Sequence, residues 1–293
     1  MGKKFLESEF LQKLESLSIV ARKVFRGQLV GERTSLKKGR SGEFADYRGY
    51  QMGDDFRYVD WNIYGRLGKL FVKLFREEED LPFHLLVDAS QSMAFGNPAK
   101  FEYALKIAAA LSYISLINLD RVRLFFFSSH MQKRMGPVRG RSEIFHLFKF
   151  LEEMSCSGGT QFNQFIKNYA REAKNPGVAV VISDLLDSGG YSEGLLALRY
   201  HKYDVFLMQV VCEDELVPAW QGDLKLVDSE TKEKCDITIT PELLKRYRET
   251  GERYFKEIDD FCGKHEIDYL QTCTTIPLED LILKYLRQGG LLK

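Results

Sequence analysis

From residue 81 the sequence alternates short, almost uninterrupted apolar runs with longer stretches of helical spacing. The runs are "LPFHLLVD" (81–88), "RVRLFFFS" (121–128), "GVAVVISD" (177–184), "YDVFLMQV" (203–210) and "IDYLQT" (267–272). Runs this short and this apolar read as strands buried on both faces. A further short strand is expected near 131–135. Helices are expected over 99–118, 142–154, 161–173, about 191–200, about 241–262 and near 277–288. Strands and helices in alternation build an α/β fold: a doubly wound, mostly parallel sheet of Rossmann type with helices on both faces. One stretch breaks the rhythm. Residues 212–240 place two alternating runs, "DLKLV" and "CDITIT", around the polar turn "DSETKEK", which predicts a β-hairpin insertion.

Ahead of residue 81 the pattern differs. Phe10, Leu14, Leu17, Val20 and Val24 recur at spacings of three and four, so an amphipathic helix is expected over residues 5–25, ended by Gly27 and Gly31. Residues 31–80, rich in glycine, charge and aromatics, predict short strands and turns, with "KLFVKLF" (69–75) the clearest strand. The expected organisation is therefore an N-terminal helix and small β-rich accessory module (1–80), then the α/β domain (81–293) with its hairpin insertion at about 212–240. "RGYQMGDDFRYVDW" mixes Arg48, Arg57, Asp54, Asp55 and Asp60 with aromatics. It is read as a salt-bridged scaffold rather than a partner-binding surface, and "KKGR" (37–40) as a solvated turn.

Composition narrows the function. Lys+Arg and Asp+Glu are both 42, so there is no basic excess to hold nucleic-acid phosphates. The five cysteines (Cys156, Cys212, Cys235, Cys262, Cys273) form no C-x-x-C pair, which fits structural thiols in a reducing compartment. No stretch approaches the roughly 20 apolar residues of a membrane span, and the charged start "MGKKFLESEF" lacks a signal-peptide core. These features predict a soluble, cytoplasmic protein. His84, His130, His146, His201 and His265 show no metal spacing and are expected to be structural. No G-x-x-x-x-G-K-[ST] loop is present.

What remains is a constellation of oxygens. Asp88 ends one predicted strand and Asp184 another, and in a parallel sheet both reach the same rim, where ligands bind. Ser90 and Ser92 alternate with Asp88. Thr160, in the Gly-rich loop "SCSGGTQFN" (155–163), stands at the expected N-cap of the next helix. Asp88, Ser90, Ser92, Thr160 and Asp184 together offer hard oxygen ligands. These suit a divalent cation, Mg²⁺ first, with Mn²⁺ or Ca²⁺ as alternatives. Water or a partner protein's carboxylate would complete a shell of roughly six oxygens. The competing reading is a Mg²⁺-dependent phosphohydrolase of haloacid-dehalogenase type, with Asp88 as nucleophile and Asp184 and Asp187 as the acid pair. Such an enzyme places a general acid two residues after the nucleophile, and that position here is Ser90. Cys156, near Thr160, is read as a small loop residue rather than a redox sensor.

The order D-x-S-x-S, Thr in a Gly-rich loop, then Asp after a buried strand resembles the metal-ion-dependent adhesion site of von Willebrand factor A domains. That resemblance implies a von Willebrand factor A-like fold with the same five residues as ligands. The stretch "SGEFADYRGYQMGDDFRYVDWNIYGRLGKLFVKLFREEEDLPFHLLVDASQSMAFG" is similar to the hallmark of the bacterial family catalogued as domain of unknown function fifty-eight. "LKLVDSETKEKCDIT" and "IDYLQTCTTIPLEDLILKYL" resemble it too, so the likeness runs from about residue 26 to the end. Many members carry N-terminal membrane helices, which this sequence does not show. The family resemblance implies an adaptor, not an enzyme: a protein-binding partner of MoxR-type AAA+ ATPases in assembling or maturing other complexes.

Overall fold

The computed structural model describes residues 7–19, 34–35, 43–78, 81–129, 132–172, 175–230 and 232–293. Val20, Val24, the 37–40 turn and His130 lie outside them. The chain divides into two compact units, residues 25–80 and residues 1–24 with 81–293.

The first helix, α1 (Ser8–Leu14), groups with the larger unit and is shorter than its periodicity predicts. The chain leaves the helix after Leu14, and Ile19 pairs with Leu292 in an antiparallel bridge. Leu17 and Ile19 are buried by that tertiary pairing, so their apolar spacing serves a partner from the far end of the chain.

The smaller unit holds a three-stranded antiparallel sheet of β1 (Thr34–Ser35), β2 (Glu43–Gly49) and β3 (Phe71–Glu78), in the order β1-β3-β2. Its helix α2 (Trp61–Leu67) starts where Asp60 accepts from the Asn62 and Ile63 amides at 2.9 and 3.2 Å. It ends at Gly68, whose φ of 64° suits glycine. Asp60 also takes Lys73 at 2.9 Å, and this ammonium, more than the amides, holds its carboxyl down at about 2. Arg48 pairs with Asp54 at 2.8 Å and Arg57 with Asp55 at 2.6 Å, so the mixed acidic and basic segment bonds to itself.

The larger unit carries a six-stranded sheet in the order β11-β8-β7-β4-β5-β6. Its elements follow the chain as β4 (Pro82–Asp88), α3 (Lys100–Ile117), β5 (Arg121–Phe127), β6 (Gln132–Val138), α4 (Ile144–Glu152) and α5 (Phe162–Glu172). Then come β7 (Val178–Ser183), α6 (Ser192–Tyr200), β8 (Asp204–Val211), α7 (Glu213–Leu216), β9 (Gly222–Val227), β10 (Lys234–Ile239), α8 (Pro241–Lys264) and β11 (Asp268–Cys273). A last helical stretch runs from Leu278 to Gln288 and contains a π-turn at Leu281–Tyr285. All pairings in the main sheet are parallel except β5 with β6. The fold is thus mixed α/β with a mostly parallel sheet, as the alternation predicts.

Side chains alternate across the sheet. Phe126 faces one layer, meeting Phe101 of α3 and Phe150 of α4 at ring separations of 6.2 and 6.0 Å. Phe125 and Phe127 face the other, against Phe165 of α5 at 4.8 and 4.5 Å. That second layer is a continuous core of Leu86, Val181, Leu207, Ile166, Leu195 and Ile258, drawn from strands and from α5, α6 and α8. Each such fully buried side chain contributes about 2 kcal/mol. Helix α3 is buried along almost its whole length, including Ala108, Ala109 and Ala110, because the sheet covers one side and other helices pack on the rest. No described helix is long and apolar enough to cross a membrane.

The strand order fixes where a ligand can enter. From β4 the chain moves to β5 and β6 on one side, then returns to β7, β8 and β11 on the other. The switch point lies between β4 and β7, and a crevice opens beyond their carboxyl ends. The hairpin β9–β10 is a separate two-stranded sheet inserted between β8 and α8.

Candidate metal centre

Asp88 is the last residue of β4 and Asp184 follows the last residue of β7, so both acids stand at the switch point. Both are buried, at 0% and 1% exposure. Two carboxylates sharing a buried rim repel. Burial first, and the charge of Asp184 second, push the Asp88 carboxyl up to about 7. Asp88 accepts from the Ser90 amide at 2.9 Å and from the Ser183 hydroxyl at 2.7 Å; among the described residues it takes no ammonium or guanidinium.

The D-x-S turn has a local cause. The Asp88 carboxylate captures the amide two residues on, which bends the chain out of the strand. The bend sets the Ser90 and Ser92 hydroxyls 3.0 Å apart. Ser90 is fully buried and Ser92 partly so. The Gly-rich loop is bonded to this turn twice: Ser157 donates its amide to the Ala89 carbonyl at 2.9 Å, and Gln91 donates to the Gly158 carbonyl at 2.8 Å. Gly158 takes a φ of 72°, the left-handed region that lets the loop double back. The structure therefore brings the Ser90–Ser92 turn and the Thr160 loop together.

Thr160 does not cap α5. The helix begins at Phe162, whose amide donates to Asp187 at 2.8 Å, while the Thr160 hydroxyl and amide both turn to Glu230, each at 3.1 Å. A carboxylate from a distant loop outcompetes the local hydroxyl for the helix end. Asp187 also accepts from the Gly189 amide at 2.8 Å, so it serves as a structural cap rather than as a second acid beside Asp184.

Four participants escaped sequence reasoning. Ser183, one residue before Asp184, holds Asp88. Lys100, the first residue of α3, is fully buried and donates to Asp184 at 2.7 Å and to Glu215 of α7 at 2.5 Å. Burial works to lower the Lys100 pKa, but the charges of Asp184 and Glu215 outweigh it and the net shift is upward. Glu230 reaches the loop from the hairpin turn. A strand-terminal serine is a faint sequence signal; Lys100, Glu215 and Glu230 had none.

The donor set suits a hard cation. Lys100 already balances Asp184, and Asp88 is the buried acid with a carboxyl displaced toward neutral, a place where added positive charge restores ionisation. The described residues hold no cluster of three or more His, Cys, Asp or Glu, so any ion here relies on hydroxyls. Cys156 sits close enough to feel both acids. Burial, then Asp88 and Asp184, push its thiol up to about 12, which makes it a poor nucleophile. His84 is also structural: Tyr169 and the Asn175 carbonyl occupy its two nitrogens at 2.6 and 3.1 Å, and burial takes it down to about 4.

A family model described as "Protein of unknown function DUF58" matches residues 46–256. Uncharacterized proteins from Mycobacterium bovis and Mycobacterium tuberculosis are 25% identical over 235 residues, which span 78% of this chain and 74% of theirs. Among solved structures, the conserved hypothetical protein BatB from Bacteroides thetaiotaomicron aligns with a TM-score of 0.45 at 15% identity, over 71% of this chain and 98% of that one. An aerotolerance-related membrane protein from Bacteroides fragilis, bearing multiple mutations to serines, aligns with the same score and coverage at 16% identity. The expectation of a cytoplasmic protein does not stand: the absence of a spanning helix among the described residues assigns no compartment, and one of these neighbours is itself described as a membrane protein.

Proposed function

We propose, from the premise that the chain belongs to the DUF58 family of proteins of unknown function, that its larger unit is a von Willebrand factor A-like module binding protein partners through a divalent cation. The observation that carries this reading is the electrostatics of the switch point. There Asp88, buried beside Asp184, is pushed toward the neutral form while the Ser90 and Ser92 hydroxyls stand paired next to it. Asp88, Ser90, Ser92, Thr160 and Asp184 would hold the ion, with Mg²⁺ favoured and Mn²⁺ or Ca²⁺ as alternatives. The bound ion would supply a Lewis-acidic position for a partner's Asp or Glu. Ser183 fixes the orientation of Asp88, and Lys100 pairs with Asp184 in the buried rim. The family resemblance favours a MoxR-type AAA+ ATPase as partner and an adaptor role in protein assembly. The phosphohydrolase alternative is weakened because Asp187, its second acid, is spent on the end of α5.

Isothermal titration with Mn²⁺ and with Mg²⁺ tests the reading. One site is expected, of modest affinity because few of its ligands are charged, lost in Asp88→Ala and weakened in Ser90→Ala. Partner capture should also fail in EDTA. Titrations unchanged in both variants would sink the assignment.

A further inference from the structure

We infer that Glu230 is an internal occupant of the position at which a partner's acidic side chain docks, and that the hairpin competes with that partner. The inference rests on the interaction reading above for the location of the docking position. The contact itself stands on three observations.

First, the Glu230 carboxylate is held by both oxygens. One accepts from the Thr160 hydroxyl at 3.1 Å and the other from the Thr160 amide at 3.1 Å. A hydroxyl and an amide from one residue form a small two-donor cradle for a carboxylate. Second, the loop is shaped to admit it. A Cβ at Gly159 would lie 2.9 Å from the Glu230 Oε2 atom, so a side chain there would push the carboxylate away. The other side of Gly159 is fixed: Ser129 donates to its carbonyl at 2.6 Å and accepts from its amide at 2.8 Å. Third, the turn that presents Glu230 is built without help from the loop. Asp228 accepts from the Glu230 amide at 2.8 Å, the Asp228 amide donates to the Glu233 carbonyl at 2.9 Å, and Lys232 donates to the Ser229 carbonyl at 2.6 Å.

The hairpin belongs to neither edge of the main sheet, and its strand residues are mostly exposed. A two-stranded hairpin has little cohesion with its surroundings beyond the contacts it makes at its tip. It can leave Thr160 as a unit with its turn intact. The ligand it gives way to must offer what Glu230 offers: one carboxylate, carried on a tight turn that clears the Gly158–Gly159 backbone. An acidic peptide turn is that chemistry. Because Glu230 is tethered, it competes at a high effective concentration and sets a threshold that a partner must exceed.

The test uses the full chain and a head-to-tail cyclised, fluorescein-labelled peptide of residues 222–239 as the probe. Fluorescence anisotropy is read with 1 mM MnCl₂, on the order of a saturating level for a modest site, and again in EDTA. The Glu230→Ala protein is expected to bind the peptide at least about tenfold more tightly than the unaltered protein. A peptide carrying Glu230→Gln should not bind. Exchange of the Thr160 amide should be about tenfold faster in Glu230→Ala. Equal peptide binding by both proteins, binding by neither, or equal amide exchange would overturn the inference. Mn²⁺ titration of the same two proteins separates the readings. Mn²⁺ bound with no difference in peptide binding removes the internal competitor alone. Absence of Mn²⁺ binding removes the cation, while the EDTA comparison still decides the hairpin's role.

Discussion

Asp88 is asked to be ionised where ionisation is costly, and the consequence can be followed through pH. Its folded-state carboxyl is raised to about 7 from an ordinary 3.8, by burial and then by Asp184. Between those values the folded protein holds a proton that the unfolded chain has released. The stability carried by neutral Asp88 is therefore fully present below pH 3.8 and is lost as pH rises through about 7. In EDTA, Asp88→Asn should remove that loss. Its thermal midpoint should exceed that of the unaltered protein at pH 8, by on the order of 2–4 kcal/mol of stability. The gain should shrink as the buffer approaches pH 4. His84, which burial takes down to about 4, pulls the other way below 6.5, but it does so equally in both proteins and cancels in the difference. Mn²⁺ should stabilise the unaltered protein at pH 8 and leave the variant where it was. Calorimetry across pH measures both. A gain that does not vary with pH would show that the Asp88 carboxylate is not the strained group.

At the scale of elements, what the sequence could reveal follows from the range of each interaction. The strands were legible because burial on both faces leaves runs such as "GVAVVISD" without a polar residue until the rim. Asp88, Ser90 and Ser92 were legible because a strand end and an Asx turn are local events. Glu230 and Lys100 were not: one lies 70 residues from Thr160, the other 84 from Asp184. The expected Thr160 cap failed for the same reason, since Asp187 reaches the helix from another loop. That substitution of one cap for another is measurable. Asp187→Ala should cost about 1 kcal/mol, speed exchange of the Phe162 amide, and leave Mn²⁺ affinity within about twofold. A large loss of Mn²⁺ binding in Asp187→Ala would instead make it part of the centre and revive the phosphohydrolase alternative.

At the scale of the molecule, the larger unit is closed by a pairing between residues near opposite ends of the chain. Ser18 and Lys293 exchange two backbone hydrogen bonds, at 3.1 and 3.0 Å, and Ile19 bridges Leu292. Ile19 is 0% exposed and Leu292 3%, so the bridge is a piece of core rather than a surface strap. Each truncation to alanine should leave a cavity costing about 2–4 kcal/mol, which for a unit of this size lowers the thermal midpoint by roughly 5–12 °C. The two residues share one contact, so their effects cannot add. Ile19→Ala with Leu292→Ala should cost about 1 kcal/mol less than the sum of the single changes, because the second removal finds its partner already gone. A control pair, Ile19→Ala with Leu195→Ala, places the second change in the core that α5, α6 and α8 build on the sheet, and its costs should sum. Differential scanning calorimetry of the three single variants and the two doubles decides the matter. Strict additivity for Ile19 and Leu292 would mean that residues 7–19 do not dock as described, and that the larger unit is closed by residues 81–293 alone.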